Sequence, residues 1–469
     1  MDQVEFERVA TTFARFHQEF APLFGRTEAQ ERSEQYLRGL LVQQTDRRNA
    51  ENLAEVSEEA TPRSLQRFLT ESPWSDQPVI DRLQKYVAPF LRDTLNVFVV
   101  DDTGFAKQGT HSVGVARQYS GTLGRVANCQ VGVFLAYVSP RGHALVDKAL
   151  YLPAEWTQDR DRCRAAGVPD DVVYQSKADL ALGLLRRARQ GTQLPGDWIT
   201  ADAGYGEVPS FREALDTEHW RYVVEVPGNV SVFVQWAKTA VPAWSGQGRK
   251  PTRPQLVAGE PEPQNVVSVA AQLTPSQWRS LTVAEGAQGP RQYQFAALRV
   301  WESQDGLPGR ACWLLFRRNL DGSDLKSYLS NAPADTPLLT LARVSAMRWP
   351  VETEFQTEKG ETGLDEYEVR SWHGWHHHVT MALLAGAFLL SLQHDWGTQM
   401  PQITRPQLTR ILRALLPQRT WTRAELWAWL HETQRRNESA KCAHAARRRI
   451  KQLIAADQHG WLSVTYPSL

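Results

Sequence analysis

The chain of 469 residues is long enough for about three domains. Hydrophobic residues make up 42% of it and charged residues 22%, which excludes wholesale disorder. The formal net charge of +1 excludes a global electrostatic attraction to nucleic acid, so a polyanion would have to bind a local basic region.

The positive charge is concentrated towards the C-terminal end. Residues 401–469 contain twelve Lys/Arg and four Asp/Glu, whereas residues 1–95 contain twelve Lys/Arg and sixteen Asp/Glu. A basic tail can neutralise phosphates, and a solvated helical face is the alternative interpretation.

Cysteine spacing and apolar stretches bear on the class of protein. The four cysteines are too far apart for zinc or redox motifs, which favours a reduced, cytoplasmic protein; they are Cys129, Cys163, Cys312 and Cys442. The acidic start MDQVEFERVA predicts no signal peptide. The longest apolar stretch, 381–392, is too short to cross a bilayer and predicts a buried helix, so no membrane partner is expected.

Residues 1–95 show the periodicity of helices. Thr61 followed by Pro62 predicts a helix that Thr61 caps, with Pro62 in its first turn. Apolar residues also recur at helical spacing near the start: Phe6, Val9, Phe13 and Phe16.

A β-rich pattern begins at Val97. Strands and helices are predicted in the order β-β-β-α-β-α-β, which is that of an RNase H-like core. The predicted strands are 97–100, 130–139, 144–152, the segment entering the glycine-rich turn at 197–206, and 220–226; the predicted helices are 176–190 and 208–218. Ser176 is expected to cap the first of these helices, with Asp179 in its first turn.

Residues 228–335 are rich in Pro, Gly and Gln and contain short strand-like runs, and helical patterns return from about 337. The predicted fold class is therefore α/β: an RNase H-like catalytic core interrupted by a β-rich insertion, with helical N-terminal and C-terminal regions. The expected domains are 1–95, a helical region; 96–227, the first part of the core; 228–335, the insertion; 336–395, the second part of the core; and 396–469, a basic helical region.

Three carboxylates are candidate metal ligands. Asp102 is predicted to close the strand that begins at Val97, and Asp202 to end the fourth strand, before the glycine-rich turn. Glu352 lies in a predicted helix that begins near Pro350. Phosphodiester cleavage by two Mg²⁺ ions requires acidic side chains that converge, and Mn²⁺ suits the same ligands. For either aspartate alone a turn or helix cap is the alternative, and for Glu352 an exposed charged helix.

Cations accompany these acids. Arg348 precedes Glu352, and Lys359 follows it by seven residues on the same predicted helical face, which suits contacts to DNA phosphates. Lys107 follows Asp102 by five residues and is expected either to contact phosphate or to be an exposed loop lysine.

Several blocks resemble bacterial insertion-sequence transposases of the DDE superfamily. The segment from VFVVDDTGFAKQG to VGVFLAYVSPRG resembles their first catalytic block. Arg348, Glu352 and Lys359 have the spacing of the Tyr-x2-Arg-x3-Glu-x6-Lys motif of one cut-and-paste branch, although Ser345 occupies the tyrosine position. Segments 46–74 and 363–390 are similar too, so the resemblance covers most of residues 30–395.

The resemblance implies DNA cleavage and strand transfer at the ends of an insertion sequence, with the helical region 1–95 and the basic tail binding DNA. It favours Asp102 over the adjacent Asp101 as the first catalytic acid, with Asp202 and Glu352 as the others. The implied partners are double-stranded DNA, both the terminal inverted repeats and the target, and a second copy of the chain in the DNA complex. A location in the bacterial cytoplasm at the nucleoid follows.

Two alternative functions remain open: a transposase-derived DNA-binding protein without strand transfer, and a stand-alone metal-dependent nuclease. The histidines of WHGWHHHVT, His373 and His376–378, favour helix packing or phosphate contacts over a zinc site. Trp301 and Trp313 lie in the insertion, where the resemblance implies an aromatic that holds a flipped base; core packing is the favoured role for each.

Overall fold

The computed structural model describes residues 8–43, 47–57, 59–121, 124–244, 247, 249–286 and 289–458, and Phe6 of the predicted first helix lies outside them. The chain forms two compact units, Met1–Pro417 and Gln418–Leu469. Helices and sheets both occur, which confirms a mixed α/β fold. None of the helices within the described ranges has the length and apolar character that a membrane crossing requires.

Helices fill the start of the first unit. They are α1 (Val9–Gln18), α2 (Thr27–Val42), α3 (Ala50–Glu55), α4 (Pro62–Thr70) and α5 (Asp76–Leu91). Thr61 caps α4 as predicted: its side chain accepts from the backbone N–H of Ser64, and the Ser64 hydroxyl accepts from the backbone N–H of Thr61. This reciprocal pairing satisfies two N–H groups that the first helical turn leaves without partners.

The first sheet is built around β1. Its strands are β1 (Val97–Ala106), β2 (Ala116–Ser120), β3 (Arg125–Ser139), β4 (Gly142–Tyr151), β5 (Trp198–Ala201) and β6 (Arg221–Tyr222). β1 is antiparallel to β3 and parallel to β5, and β5 is parallel to β6. β2 and β4 both pair with β3, along successive parts of it.

The predicted end of the first strand at Val100 is wrong, because β1 continues to Ala106. Pairing with β5 does end there, at Val100 opposite Ala201, whereas pairing with β3 continues to Ala106 opposite Cys129. Asp101 and Asp102 therefore lie where β1 loses its parallel neighbour, within a strand that β3 still supports.

Helices connect β4 to the later strands. They are α6 (Ala154–Thr157), α7 (Arg160–Ala165), α8 (Lys177–Gly191), α9 (Ala203–Gly206) and α10 (Pro209–Thr217). Ser176 caps α8 as predicted, and it exchanges side-chain hydrogen bonds with Asp179. The glycine-rich turn predicted after the fourth strand is instead the one-turn helix α9.

A second, antiparallel sheet follows. Its strands are β7 (Val224–Val226), β8 (Ser231–Phe233), β11 (Gln264–Asn265), β12 (Arg279–Gly286), β13 (Gly289–Gln304), β14 (Leu307–Arg318) and β15 (Lys326–Ser330), and beside it lie the pair β9 (Thr239–Ala240) and β10 (Gln255–Leu256) and helix α11 (Val266–Ala271). The prediction of one strand over 220–226 is wrong. The chain changes sheets at Val223, so β6 belongs to the first sheet and β7 to the second.

Helices follow the second sheet, as predicted from about residue 337: α12 (Leu338–Ala346), α13 (Trp349–Thr362), α14 (Trp372–Gly397), α15 (Arg405–Leu415) and, in the second unit, α16 (Arg423–Gln458). Residues 459–469, which were also predicted to be helical, lie outside the described ranges. The apolar stretch 381–392 lies in α14 and is buried throughout, which confirms the predicted buried helix. A Cβ at Gly386 of α14 would overlap the carboxylate of Glu358, so glycine permits the close approach of α13 and α14.

Candidate active site

Asp101 and Asp102 point to different partners because side chains alternate along β1. Nη1 of Arg348 lies 3.5 Å from Oδ2 of Asp101. On the other side, Nζ of Lys177 lies 3.1 Å from both carboxylate oxygens of Asp102. The two acids are thus held by cations from different helical regions, Lys177 opening α8 and Arg348 preceding α13.

Asp202 is the N-cap residue of α9. Its Oδ1 accepts hydrogen bonds from the backbone N–H groups of Gly204, at 3.0 Å, and Tyr205, at 3.3 Å. The alternative interpretation of Asp202 as a helix cap is therefore confirmed. Burial and then the nearby charge of Asp102 raise the pKa of Asp202. The same residue, Tyr205, also donates its hydroxyl to Oδ2 of Asp102 at 3.3 Å.

Asp101 is the most buried acid of this group. Burial and then the charge of Asp202 raise its pKa to about 8, while Arg348 acts in the opposite direction. Asp202 is thus electrostatically coupled to both aspartates of β1. Asp101 and Asp102 on β1 and Asp202, directly after β5, therefore lie near one another where β1 and β5 separate.

Arg348 connects this group to Glu352. Its guanidinium contacts Oε1 of Glu352 at 2.6 Å, Asp101 at 3.5 Å, and Oε2 of Glu225 on β7 at 3.8 Å. Glu352 is on the first turn of α13, and its side chain is 53% exposed. Glu352 therefore faces solvent at the rim of the carboxylate group and reaches it through the guanidinium.

Lys359 lies further along α13 on the side of Asp101. Its ammonium donates to Oγ1 of Thr103 at 2.7 Å and to the Gly104 carbonyl at 3.4 Å. Thr103 and Asp101 are two residues apart on β1 and so share one face of the strand. Arg348 and Lys359 therefore both contact β1, whereas Glu352 reaches it through Arg348. Burial lowers the pKa of Lys359.

Lys107 has a different environment. Its ammonium donates to the Tyr367 carbonyl at 3.0 Å and lies 3.4 Å from the centre of the Tyr367 ring. Burial lowers its pKa to about 8. The prediction of an exposed loop lysine is wrong, because the segment that precedes α14 covers this side chain.

Lys177 and Tyr205 are site residues that the sequence did not single out. Lys177 opens a well-capped helix, where charged residues are common, and Tyr205 lies in the glycine-rich segment after Asp202. What marks both residues is their contact with Asp102. That contact forms only when α8 and α9 pack against β1, so neither residue stands out in the sequence.

The carboxylates of this site meet some of the requirements of a divalent cation. Among the described residues, no group of three His, Cys, Asp or Glu side chains lies close enough to hold a metal ion. Asp102 and Asp202, however, supply the hard oxygen donors that Mg²⁺ prefers, and a cation between them would relieve the repulsion that helps raise the pKa of Asp202. The two aspartates therefore fit such an ion, whereas Glu352 is bonded to Arg348 in this structure.

His376, His377 and His378, near the start of α14, are packing residues, as favoured above, whereas His373 is exposed. Nδ1 of His376 lies 3.2 Å from Oδ2 of Asp76, and Nδ1 of His378 lies 2.7 Å from the Tyr36 hydroxyl. The ring of His377 stacks on Trp74 at 3.7 Å. These three rings have separate protein partners.

The two tryptophans singled out in the insertion are both half-buried. Trp301 packs edge-on against Trp236, with ring centres 5.8 Å apart. Trp313 donates its indole N–H to the Pro333 carbonyl at 3.0 Å, and Arg299 lies over its ring. Packing contacts therefore account for much of both side chains.

A family described as DDE superfamily endonuclease matches residues 19–290, a range that contains Asp102 and Asp202 and ends before Glu352. A curated relative, a probable transposase for insertion sequence element IS701 from Microchaete diplosiphon, is 26% identical over 200 residues. That alignment covers 41% of this chain and 48% of the relative, so the chain spans about half the length of the curated relative it matches.

Two solved structures match at low identity. A piggyBac transposase synaptic complex with hairpin DNA is 10% identical, with 88% of this chain and 79% of that chain covered and a TM-score of 0.35. The NurA nuclease from Sulfolobus solfataricus is 9% identical, with 60% of this chain and 86% of that chain covered and a TM-score of 0.25.

Proposed function

The chain belongs to the DDE superfamily of endonucleases, whose family model matches more than half of it, and on that premise we propose that it is an insertion-sequence transposase. It cleaves DNA at the ends of an insertion sequence and joins the freed 3′ ends to target DNA. The similarity to the IS701 transposase supports this proposal. Acting on chromosomal DNA, it would work in the bacterial cytoplasm at the nucleoid.

The observation that carries the proposal is the convergence of Asp102 and Asp202. They come from different strands, both bond to Tyr205, and the charge of Asp102 helps raise the pKa of Asp202. Acids placed in this way are costly to a folded protein unless a cation uses them. We assign the first sheet, with α8 and α13, to an RNase H-like catalytic core, and the second sheet to an insertion in it.

Asp102, Asp202 and Glu352 would hold the divalent ions, two Mg²⁺ or Mn²⁺. When bound, such ions activate an oxygen nucleophile and stabilise the leaving oxygen of a phosphodiester. Glu352 joins the two aspartates by leaving the guanidinium of Arg348. Arg348, so released on one side, is then available to hold the DNA backbone with charge-assisted hydrogen bonds.

DNA would contact several basic surfaces. Lys359 lies beside the carboxylates, and Lys107 reaches phosphate only by leaving Tyr367. Arg447–Arg449 form an exposed basic run on α16, and we assign the binding of terminal inverted repeats to this helix together with the N-terminal helices. Two copies of the chain would pair the two ends of the element.

The substitution Asp202→Asn tests the proposal. Asparagine still caps α9, since its side-chain oxygen accepts the same hydrogen bonds, but it removes the negative charge. We expect no Mg²⁺-dependent cleavage of inverted-repeat DNA and unchanged DNA binding. The matched control is Asp321→Asn, which changes an exposed acid in the turn between β14 and β15 and is expected to cleave normally.

The wild-type products separate the alternative functions. Wild-type cleavage rates in Asp202→Asn would show that the carboxylate assignment is wrong. Cleavage without joined products would indicate a stand-alone nuclease. Binding of inverted-repeat DNA by the wild type without any cleavage would indicate a transposase-derived DNA-binding protein.

A further inference from the structure

Lys177 contacts both carboxylate oxygens of Asp102 at the same distance. Nζ lies 3.1 Å from Oδ1 and 3.1 Å from Oδ2, so one ammonium engages both carboxylate oxygens. The lysine side chain is 37% exposed and that of Asp102 is 23% exposed. Both groups are therefore reachable from solvent, and an ion arriving there meets an existing ion pair.

The position of Lys177 in α8 is electrostatically unfavourable for a lysine. It is the first residue of the helix, after the Ser176 cap, and the backbone dipoles at a helix N-terminus disfavour a cation there. The requirements of the helix therefore do not explain the ammonium. Its bond with Asp102 does.

The chemistry of Asp102 makes Lys177 and a divalent cation competitors. A lysine ammonium is a compact point charge on a flexible four-carbon stem, which can leave one partner without moving the backbone. The oxygens that accept from the ammonium are the same ones that a metal ion would use. The hydroxyl of Tyr205 contacts only Oδ2 of Asp102 and can stay in place.

We propose that Lys177 is an exchangeable counter-ion of the active site, whose ammonium holds Asp102 until a divalent cation displaces it. The lysine thereby sets the metal concentration at which the site fills. This inference rests on the proposed function, because it takes Asp102 to be a metal ligand.

The test is Mn²⁺ binding to the full-length protein without DNA, followed by electron paramagnetic resonance or calorimetry. The substitution Lys177→Met keeps the length of the side chain and removes the competing charge. We expect the Kd for Mn²⁺ to fall about two- to fivefold, the range that removal of a partly exposed ion pair gives. Lys177→Arg restores a cation and is expected to return the Kd to the wild-type value or above it.

The matched control is Lys85→Met, which removes a lysine charge from an exposed position on α5. Lys85 has no assigned role at the carboxylates, so the Kd is expected to stay within twofold of wild type. An equal fall in Lys85→Met would point to a general charge effect and overturn the proposal. So would an unchanged or higher Kd in Lys177→Met, with folding checked by circular dichroism.

Failure of the proposed function gives a different result. If the wild-type protein and Asp202→Asn bind Mn²⁺ equally weakly, the carboxylates are not a metal site. If the wild type binds Mn²⁺, Asp202→Asn does not, and Lys177→Met matches the wild type, only the role of Lys177 is wrong.

Discussion

Tyr205 and Asp102 are joined by a hydrogen bond in which the phenolic hydroxyl lies 3.3 Å from Oδ2 of the carboxylate. The backbone N–H of the same tyrosine donates to Asp202 at 3.3 Å. One residue on the helix that follows β5 thus holds the two strand acids in relation to each other. Burial raises the pKa of Tyr205 well above its usual value, so the hydroxyl stays a donor at any working pH.

We predict that Tyr205→Phe lowers the DNA cleavage rate by about fivefold to tenfold, the value of one hydrogen bond of about 1 kcal/mol. The change removes the hydroxyl and keeps the buried ring, so the fold should persist. Single-turnover cleavage of inverted-repeat DNA measures the effect. Tyr222→Phe is the control, because the Tyr222 hydroxyl donates to Glu302 and not to Asp102 or Asp202. This substitution should lower stability and leave cleavage unchanged. Equal cleavage rates in both variants would contradict this role for Tyr205.

Arg348 is predicted to need the planar guanidinium and not only its charge. It contacts three acids from separate elements, on β1, β7 and α13. A lysine presents a single ammonium and cannot bridge all three. We expect Arg348→Lys to lower cleavage at least tenfold, with thermal unfolding measured in parallel to verify the fold.

The control for Arg348 is Arg343→Lys, an exposed arginine on α12 in the same part of the chain. It should cleave at a rate close to that of the wild type. If Arg348→Lys also cleaved normally, the charge alone would suffice, and the bridge between Glu352 and Asp101 would have no role in cleavage.

Local features of this fold were predictable and long-range ones were not. The caps Thr61 and Ser176 were found because a capping residue and its partner lie within four positions of each other. The change of sheet at Val223 was not predicted, because a short apolar, β-branched run is equally compatible with a strand in either sheet. The extension of β1 past Val100 depends on β3, a partner whose register the sequence of β1 does not reveal.

The site follows the same division. Asp102, Asp202 and Glu352 were predicted as metal ligands from strand ends and a motif. The structure brings the two aspartates close enough for the charge of Asp102 to raise the pKa of Asp202, after the effect of burial. Lys177 was not predicted as a partner of Asp102, because the two residues are 75 positions apart in the sequence. The ion pair between Glu352 and Arg348 was not predicted either. Spacing along a helix shows that the two side chains can meet, but it does not show that Arg348 also contacts Asp101 and Glu225.

A buried ion pair is predicted to fix α13, which bears Glu352, against α15. Nη1 of Arg405 donates to both carboxylate oxygens of Glu354, at 2.7 and 2.8 Å, and lies 3.6 Å from Glu358. Against the effect of burial, Arg405 lowers the pKa of Glu354. We expect Arg405→Met to lower the free energy of unfolding by about 3–5 kcal/mol, since it takes the guanidinium from a buried carboxylate that then has only His143 beside it.

Urea denaturation measures the effect of Arg405→Met. The double variant Arg405→Met with Glu354→Gln should recover part of the loss, because the uncompensated charge is gone. Arg67→Met, which breaks an exposed pair on α4, should leave stability almost unchanged. A double variant no more stable than Arg405→Met alone would contradict the charge argument and indicate lost packing.

The last prediction concerns acid stability and the buried His378. Nδ1 faces the Tyr36 hydroxyl at 2.7 Å and Nε2 faces the Gly363 carbonyl at 3.0 Å, an arrangement that suits a neutral ring with one acceptor and one donor. Burial lowers its pKa to about 3, and burial likewise lowers the pKa of His17 to about 4, from an ordinary value of 6.5. Above pH 6.5 both rings are neutral in the folded and unfolded chain, so stability is independent of them.

As the pH falls below 6.5, the unfolded chain binds protons that the folded protein does not. The free energy of unfolding should therefore drop from pH 6.5 down to about 4 for His17 and about 3 for His378, by about 2 kcal/mol per histidine at pH 5. Urea denaturation at pH 7.5 and pH 5 measures this loss. His378→Gln should shrink the difference between the two pH values, even though it lowers stability at both, whereas the exposed His111→Gln should leave the difference as in the wild type. An undiminished difference in His378→Gln would mean that this ring accepts its proton in the folded protein as readily as in the unfolded chain.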